Sequence, residues 1–233
     1  MALRKRFEEI AEHLELLIIS GELKEGDRIP SERALMEKFS AGRPSVREAI
    51  FSLQKKGLLS DLPRGVPRVQ SPRADIVLKS IGSSVRQYIQ RPEGIRNLQQ
   101  ARSLLESGLA RSAARSATPA DLRVLEKALR KNERARNQAD FVASDLEFHQ
   151  AIAAIASNEI FTSLNRSLAE WLRQQRTASA DAGATMEEVA RQHRDIYEAI
   201  AARDEEGACI AMESHLAFVA RLFWMGQNPP DPD

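Results

Sequence analysis

The stretch Ile29-Pro30-Ser31-Glu32-Arg33-Ala34-Leu35-Met36, continued by Gly42-Arg43-Pro44-Ser45-Val46-Arg47-Glu48-Ala49-Ile50-Phe51-Ser52-Leu53 and Gly57-Leu58, governs how the first third of the chain is read. Ser31 can cap a helix over Glu32–Phe39, with acids in its first turn. The turn Ser40-Ala41-Gly42-Arg43 then leads to a second helix. Ser45 and Glu48 have capping-box spacing, so Ser45 is expected as its N-cap, and Val46, Ala49, Ile50 and Leu53 fall on one apolar face. Gly57 ends that helix.

Upstream, Phe7, Ile10, Leu14, Leu17 and Ile18 predict an amphipathic helix over about 7–20, stopped by Gly21. Leu23–Pro30 reads as a turn-rich connector. Downstream, Leu58–Leu62 and Val66–Gln70 are short extended segments around Pro63-Arg64-Gly65, a hairpin with glycine at its tip. Three helices and a small hairpin within about 70 residues make a winged helix-turn-helix.

Such a unit lays the N-terminal residues of its last helix against base edges in the major groove. Here those are Arg43, Ser45 and Arg47. The planar arginine fork matches guanine O6 and N7 together. Ser45 divides between capping and phosphate contact, and Lys55 and Lys56 at the far end suit backbone phosphates. Gly65 would let the wing backbone approach a minor groove.

The formal net charge of +1 gives no support to nucleic-acid binding, but its distribution does. Residues 1–37 carry six Lys/Arg against nine Asp/Glu, whereas residues 38–73 carry eight against two. A local basic face can hold phosphates on a nearly neutral protein. The bland alternative is a small helical subdomain with a solvated charged face.

Beyond Ala74 only helices are expected. Ile76 to Ile89 reads as one linking helix, broken at Arg91-Pro92-Glu93-Gly94, before a long helix over about 95–116. Thr118-Pro119 marks a new start, and further helices fit about 140–156, 160–178, 186–203 and 205–226, ahead of a loose tail from Asn228. The expected architecture is mainly α: a winged helix-turn-helix over 1–73 and an all-α bundle over 74–233. With one cysteine (Cys209), no signal peptide and no continuous apolar run of spanning length, a reducing cytoplasmic setting without membrane attachment is expected.

Three of the four histidines lie in the C-terminal half. Asp145 and His149 are i and i+4 on one helix, and His193 and His215 fall on two later ones. A bundle can gather such residues into a site for zinc, nickel or manganese. Spacing alone equally allows ordinary buried histidines. His13 has no evident partner.

The N-terminal motifs resemble the GntR family of bacterial regulators, with Ile29 for the usual leucine and Gly42 for a serine-like residue. That resemblance implies operator contacts at Arg33, Arg43, Arg47 and Gly65, to which Ser45 is added. The C-terminal half resembles the FCD domain of FadR-type members through Asp145-x-x-x-His149, His193-Arg194-Asp195-Ile196-Tyr197-Glu198-Ala199-Ile200 and Met212-Glu213-Ser214-His215-Leu216. It implies a divalent metal, zinc above all, on Asp145, His149, His193 and His215. It implies a small carboxylate beside the metal, a sugar acid or another organic acid, gripped by Arg102. Read as a residue alone, Arg102 could instead be an exposed arginine paired with Glu106. The implied protein is a homodimeric repressor of a catabolic operon that binds double-stranded operator DNA. A metal-dependent hydrolase, or an architectural DNA binder with a purely structural metal, are the other readings; no catalytic residue is expected.

Overall fold

In the computed structural model, residues 2–60, 66–71, 73–173 and 186–227 are described. The chain divides into two compact units, 1–81 and 82–233.

The first unit holds α1 (Ala2–Ile19), α2 (Glu32–Phe39), α3 (Arg43–Lys55) and α4 (Ala74–Ser80). Its core joins Ile10 and Leu14 of α1 to Leu35 of α2 and Val46, Ala49, Ile50 and Leu53 of α3. The helical periodicity of the sequence therefore identified the buried faces. Ser31 caps α2 as expected, its side chain accepting from Ala34 N at 3.2 Å.

The start of α3 differs from expectation. Gly42 is the N-cap, with no side-chain cap bond, and Arg43 and Pro44 occupy the first turn. Proline at an early helical position loses no bond, because the first amides have no partner inside the helix, and its fixed φ is already helical. The helix therefore begins before Ser45, which is buried at 2% exposure and is not a cap.

The hairpin is present where it is described: Leu59 and Val69 form an antiparallel bridge, with Ser60 N to Arg68 O at 2.9 Å and Gln70 N to Leu58 O at 3.0 Å. The connector also contributes. Gly26 N donates to Val69 O, Val69 N to Asp27 O, and Ile29 N to Pro67 O, so 26–29 pairs along the other edge of 67–69. Its turn-rich composition masked this, because a pairing of three or four residues shows no alternation. The hairpin tip, with Gly65, lies outside the described residues.

Gly57 has φ +74°, and a Cβ there would stand 2.7 Å from Ile76 Cγ2 of α4. Left-handed backbone costs an L-residue about 1–2 kcal/mol. Gly57→Ala should therefore lower stability by about that amount or more, read as a reduced urea midpoint.

The second unit contains α5 (Gly82–Tyr88), α6 (Pro92–Ser116), α7 (Pro119–Glu133), α8 (Gln138–Ile155), α9 (Glu159–Trp171), α10 (Met186–Ala201) and α11 (Glu205–Gln227). The expected linking helix is two helices, α4 and α5, interrupted at Ile81. The helical run does break ahead of Pro92, between Tyr88 and Pro92, but Pro92 itself opens α6 as a first-turn proline, so the long helix starts at 92 rather than about 95. Gly94 is required there, since a Cβ would lie 2.3 Å from Tyr88 O.

The core of this unit draws Leu109 and Ala113 from α6, Leu125 and Leu129 from α7, Phe148 and Ile152 from α8, Ile196 and Ile200 from α10, and Met212 and Leu216 from α11. α11 is long and apolar enough to span a bilayer by length and composition. Ala208, Met212, Leu216, Val219 and Phe223 follow helical spacing and are all buried in the bundle, which accounts for its hydropathy.

Thr118 and Asp121 form a full capping box at the start of α7, and the Thr118 hydrogen bonds hold the Asp121 carboxyl below its ordinary pKa. Thr118→Ala should cost about 1 kcal/mol at neutral pH. A carboxyl with a depressed folded pKa stabilises above the ordinary carboxylate range and loses that contribution as pH falls. The gap between wild type and variant in thermal unfolding should therefore shrink in acid.

Candidate functional site

The described surface of the first unit carries a row of side chains on α3. Arg43 and Arg47 are exposed one turn apart, followed by Phe51, exposed at 55%, and Lys55, whose Nζ lies 4.6 Å from the Phe51 ring centroid. Spacing of four keeps them on one face, opposite Val46, Ala49, Ile50 and Leu53. Arg43 Nε pairs with Glu32 Oε2 at 2.8 Å, and Arg33 Nε with Glu37 Oε1 at 3.4 Å. Arg47 makes no ion pair among the described residues. Lys56 is drawn back to α1 by Glu15, at 2.6 Å. His13, for which the sequence suggested no partner, meets Lys38 Nζ at 2.7 Å and packs edge-on against Phe39. The buried Ser45 side chain offers no surface to a phosphate.

In the second unit, α8, α10 and α11 bring Asp145, His149, His193 and His215 together in the core. One potential ligand atom from each lies within 4.8 Å of all the others. His193 Nε2 is 3.3 Å from His215 Nε2 and 3.5 Å from Asp145 Oδ1, and His149 Nε2 is 3.7 Å from Asp145 Oδ1. Donors about 2.1 Å from a tetrahedral zinc stand about 3.4 Å apart, so these separations fit such an ion.

The outer ring nitrogens are also engaged. His193 Nδ1 meets Asn132 Oδ1 of α7 at 2.9 Å, His215 Nδ1 meets Gln192 Oε1 at 3.1 Å, and His149 Nδ1 touches a Glu106 carboxylate oxygen of α6. Each outer contact leaves Nε2 facing the centre. Both ring nitrogens of His149 are buried without a hydrogen bond: Nδ1 lies in charge contact with Glu106, and Nε2 is left for a cation at the centre to satisfy. Burial first, then the nearby His193, His149 and Arg102 charges, hold His215 well below its ordinary pKa. It is thereby kept neutral, the state a metal ligand requires.

Arg102 lies at the edge of this cluster and is not on the surface: it is 3% exposed, and its Nε donates to Glu106 Oε1 at 2.6 Å. The sequence expected an exposed arginine if it paired with Glu106; it pairs, but in the core. Both Nη groups are without a hydrogen bond among the described residues. Glu147, the other acid near the cluster in sequence, points outward and pairs with Lys131.

Asn132, Gln192 and Glu106 as outer partners were not found from the sequence. Asn132 and Gln192 carry no spacing signal relative to the histidines on other helices. Glu106 was visible only as an i+4 neighbour of Arg102.

A helix-turn-helix with an exposed basic helix, joined in one chain to a helical bundle, defines a DNA-binding regulator with a second, helical domain. Residues 6–66 match the bacterial regulatory proteins of the gntR family, and residues 97–218 match the FCD domain. The chain is 37% identical over 216 residues to the HTH-type transcriptional repressor NanR of Edwardsiella tarda, covering 91% of this chain and 83% of that protein. It is 38% identical over 219 residues to NanR of Cronobacter sakazakii, covering 93% and 84%. A Streptococcus agalactiae GntR structure superposes with a TM-score of 0.57 at 25% identity, over 92% of this chain and 99% of that one. The chain belongs to the GntR family, in its FCD-domain branch, and is a DNA-binding transcriptional regulator rather than an enzyme.

Proposed function

We propose that the protein is a repressor of a catabolic operon, released or reset by a small carboxylate bound beside a divalent metal. Residues 1–73 would bind operator DNA and residues 74–233 would sense the ligand and dimerise, in the cytoplasm where the operator lies. Arg33, Arg43, Arg47 and the wing glycine Gly65 meet DNA in this reading, while Ser45 packs inside.

The observation that carries the sensory half is the convergence of three inward-facing imidazole nitrogens and one carboxylate beside a buried arginine. Asp145, His149, His193 and His215 would hold zinc, with nickel and manganese as alternatives of similar preference for nitrogen and oxygen donors. The bound cation would supply a Lewis-acidic position for a carboxylate oxygen, and the Arg102 Nη pair would grip the same group. A sugar acid or another organic acid fits that chemistry.

A homodimer presents two reading helices to two half-sites. Control then requires the carboxylate to bind the DNA-competent and DNA-incompetent arrangements with different affinity. Metal-replete protein is to be titrated onto its own upstream DNA by fluorescence anisotropy, with and without sugar acids, dicarboxylates and aromatic acids. One acid should shift operator affinity by about 5–150-fold, the range of a 1–3 kcal/mol coupling. Unchanged affinity across the panel, with no acid raising the melting temperature, would remove the sensor reading and leave a purely structural metal.

A further inference from the structure

Three ring nitrogens on the outside of the histidine cluster have three different partners, and only one partner is ionisable. Asn132 and Gln192 offer neutral amide oxygens to His193 and His215. His149 alone meets a carboxylate, Glu106, which is itself 2% exposed and held on its other oxygen by Arg102. We infer that Glu106 is a positioning residue: it fixes His149 with Nδ1–H outward and Nε2 toward the metal, and ties that ligand to Arg102. The inference rests on the metal reading above.

The chemistry follows from the contacts. The contact is electrostatic and short of hydrogen-bond geometry, but a carboxylate oxygen can only accept, so it favours the proton on the ring nitrogen beside it and the lone pair on the other. A carboxylate behind a ligating imidazole also raises its basicity, which neutral amides do less. Burial of a carboxylate needs compensation, and the Arg102 guanidinium provides it through Nε, leaving its Nη side for an anion. One carboxylate therefore serves both the metal ligand and the group proposed to grip the effector. Displacing Arg102 toward an anion changes the support of His149, and loading the metal changes the support of Arg102. Binding of the two ligands is then coupled, reciprocally by linkage.

The test uses the full-length protein and two probes, Zn2+ and Co2+. Zinc affinity, measured by chelator competition, should fall roughly 10–100-fold in Glu106→Gln. The Co2+ ligand-field spectrum should shift, and Glu106→Asp should recover part of both effects. A structural role alone would lower the melting temperature without moving the Co2+ spectrum of the folded fraction. Zinc affinity and Co2+ spectrum equal to wild type in folded Glu106→Gln overturn the inference while leaving the metal reading intact. A wild-type protein that takes up neither ion overturns both.

A measurement on the wild type guards against a variant that does not fold. Long-range 15N–1H correlation spectra of the zinc-loaded protein should show His149 protonated at Nδ1 and metal-bound at Nε2. Zinc bound to His149 through Nδ1 overturns the inference.

Discussion

His193→Ala is expected to abolish metal-dependent stabilisation while leaving basal operator binding intact. His193 is the most connected member of the cluster: its Nε2 lies 3.3 Å from His215 Nε2 and 3.5 Å from Asp145 Oδ1, and its Nδ1 is anchored by Asn132. Removing a direct ligand should cost more than the roughly 10–100-fold lost with an outer partner. At 100 times its dissociation constant a ligand stabilises the fold by about 2.7 kcal/mol. For a unit of about 150 residues that is a melting-temperature rise of about 5–10 °C, since 1 kcal/mol moves the midpoint about 2–4 °C. The wild type should show that rise on adding zinc and the variant should not. Burial and its charged neighbours keep the His215 ring neutral below the ordinary imidazole range, so the rise should persist through that range and shrink only in more acid solution, where protons compete for the same nitrogen. Operator affinity without effector should stay close to wild type, because the reading helix α3 belongs to the other compact unit. A variant that melts like wild type with and without zinc would take His193 out of the site.

The effect is expected at His193 rather than His13 for reasons partly visible in the sequence. The i,i+4 spacing of Asp145 and His149 on a helical pattern put two donors on one face without any structure. That His193 and His215 would join them is a tertiary fact, since no local rule brings three helices to one point; only the resemblance of their flanking motifs suggested it. Glu106, Asn132 and Gln192 escaped because an outer partner needs only one contact, made across helices. The first unit shows the complementary pattern. Its helices were legible because apolar period and the Ser31 cap agree, whereas the start of α3 was misplaced. There Ser45 and Glu48 have the spacing of a capping box, but Gly42 and Pro44 begin the helix one turn earlier. The edge formed by 26–29 was missed for the same reason short pairings usually are: its hydrogen bonds depend on 67–69, not on its own residues.

Arg47→Ala should be the most damaging single change for operator recognition. Arg47 is exposed on the same face as Arg43 and has no ion pair among the described residues, so its guanidinium is available to a base edge at no cost in lost contacts. A good bidentate contact is worth about 1–3 kcal/mol of discrimination. In a dimer the variant loses it in both half-sites, so the expected loss is about 2–6 kcal/mol, or roughly 30- to 20,000-fold. Arg43 differs because it must leave Glu32 to reach DNA. That exposed pair is worth at most about 1 kcal/mol, so Glu32→Gln should leave operator affinity unchanged or slightly tighter while Arg43→Ala weakens it. Comparing operator with unrelated DNA separates the two roles an arginine can have. Base reading predicts that Arg47→Ala weakens operator binding far more than unrelated-DNA binding. A phosphate contact instead predicts nearly equal loss on both, with the salt dependence of log K reduced by about one per contact. Equal loss on the two DNAs would move Arg47 from the base edge to the backbone, and leave Arg43 as the reading side chain of α3.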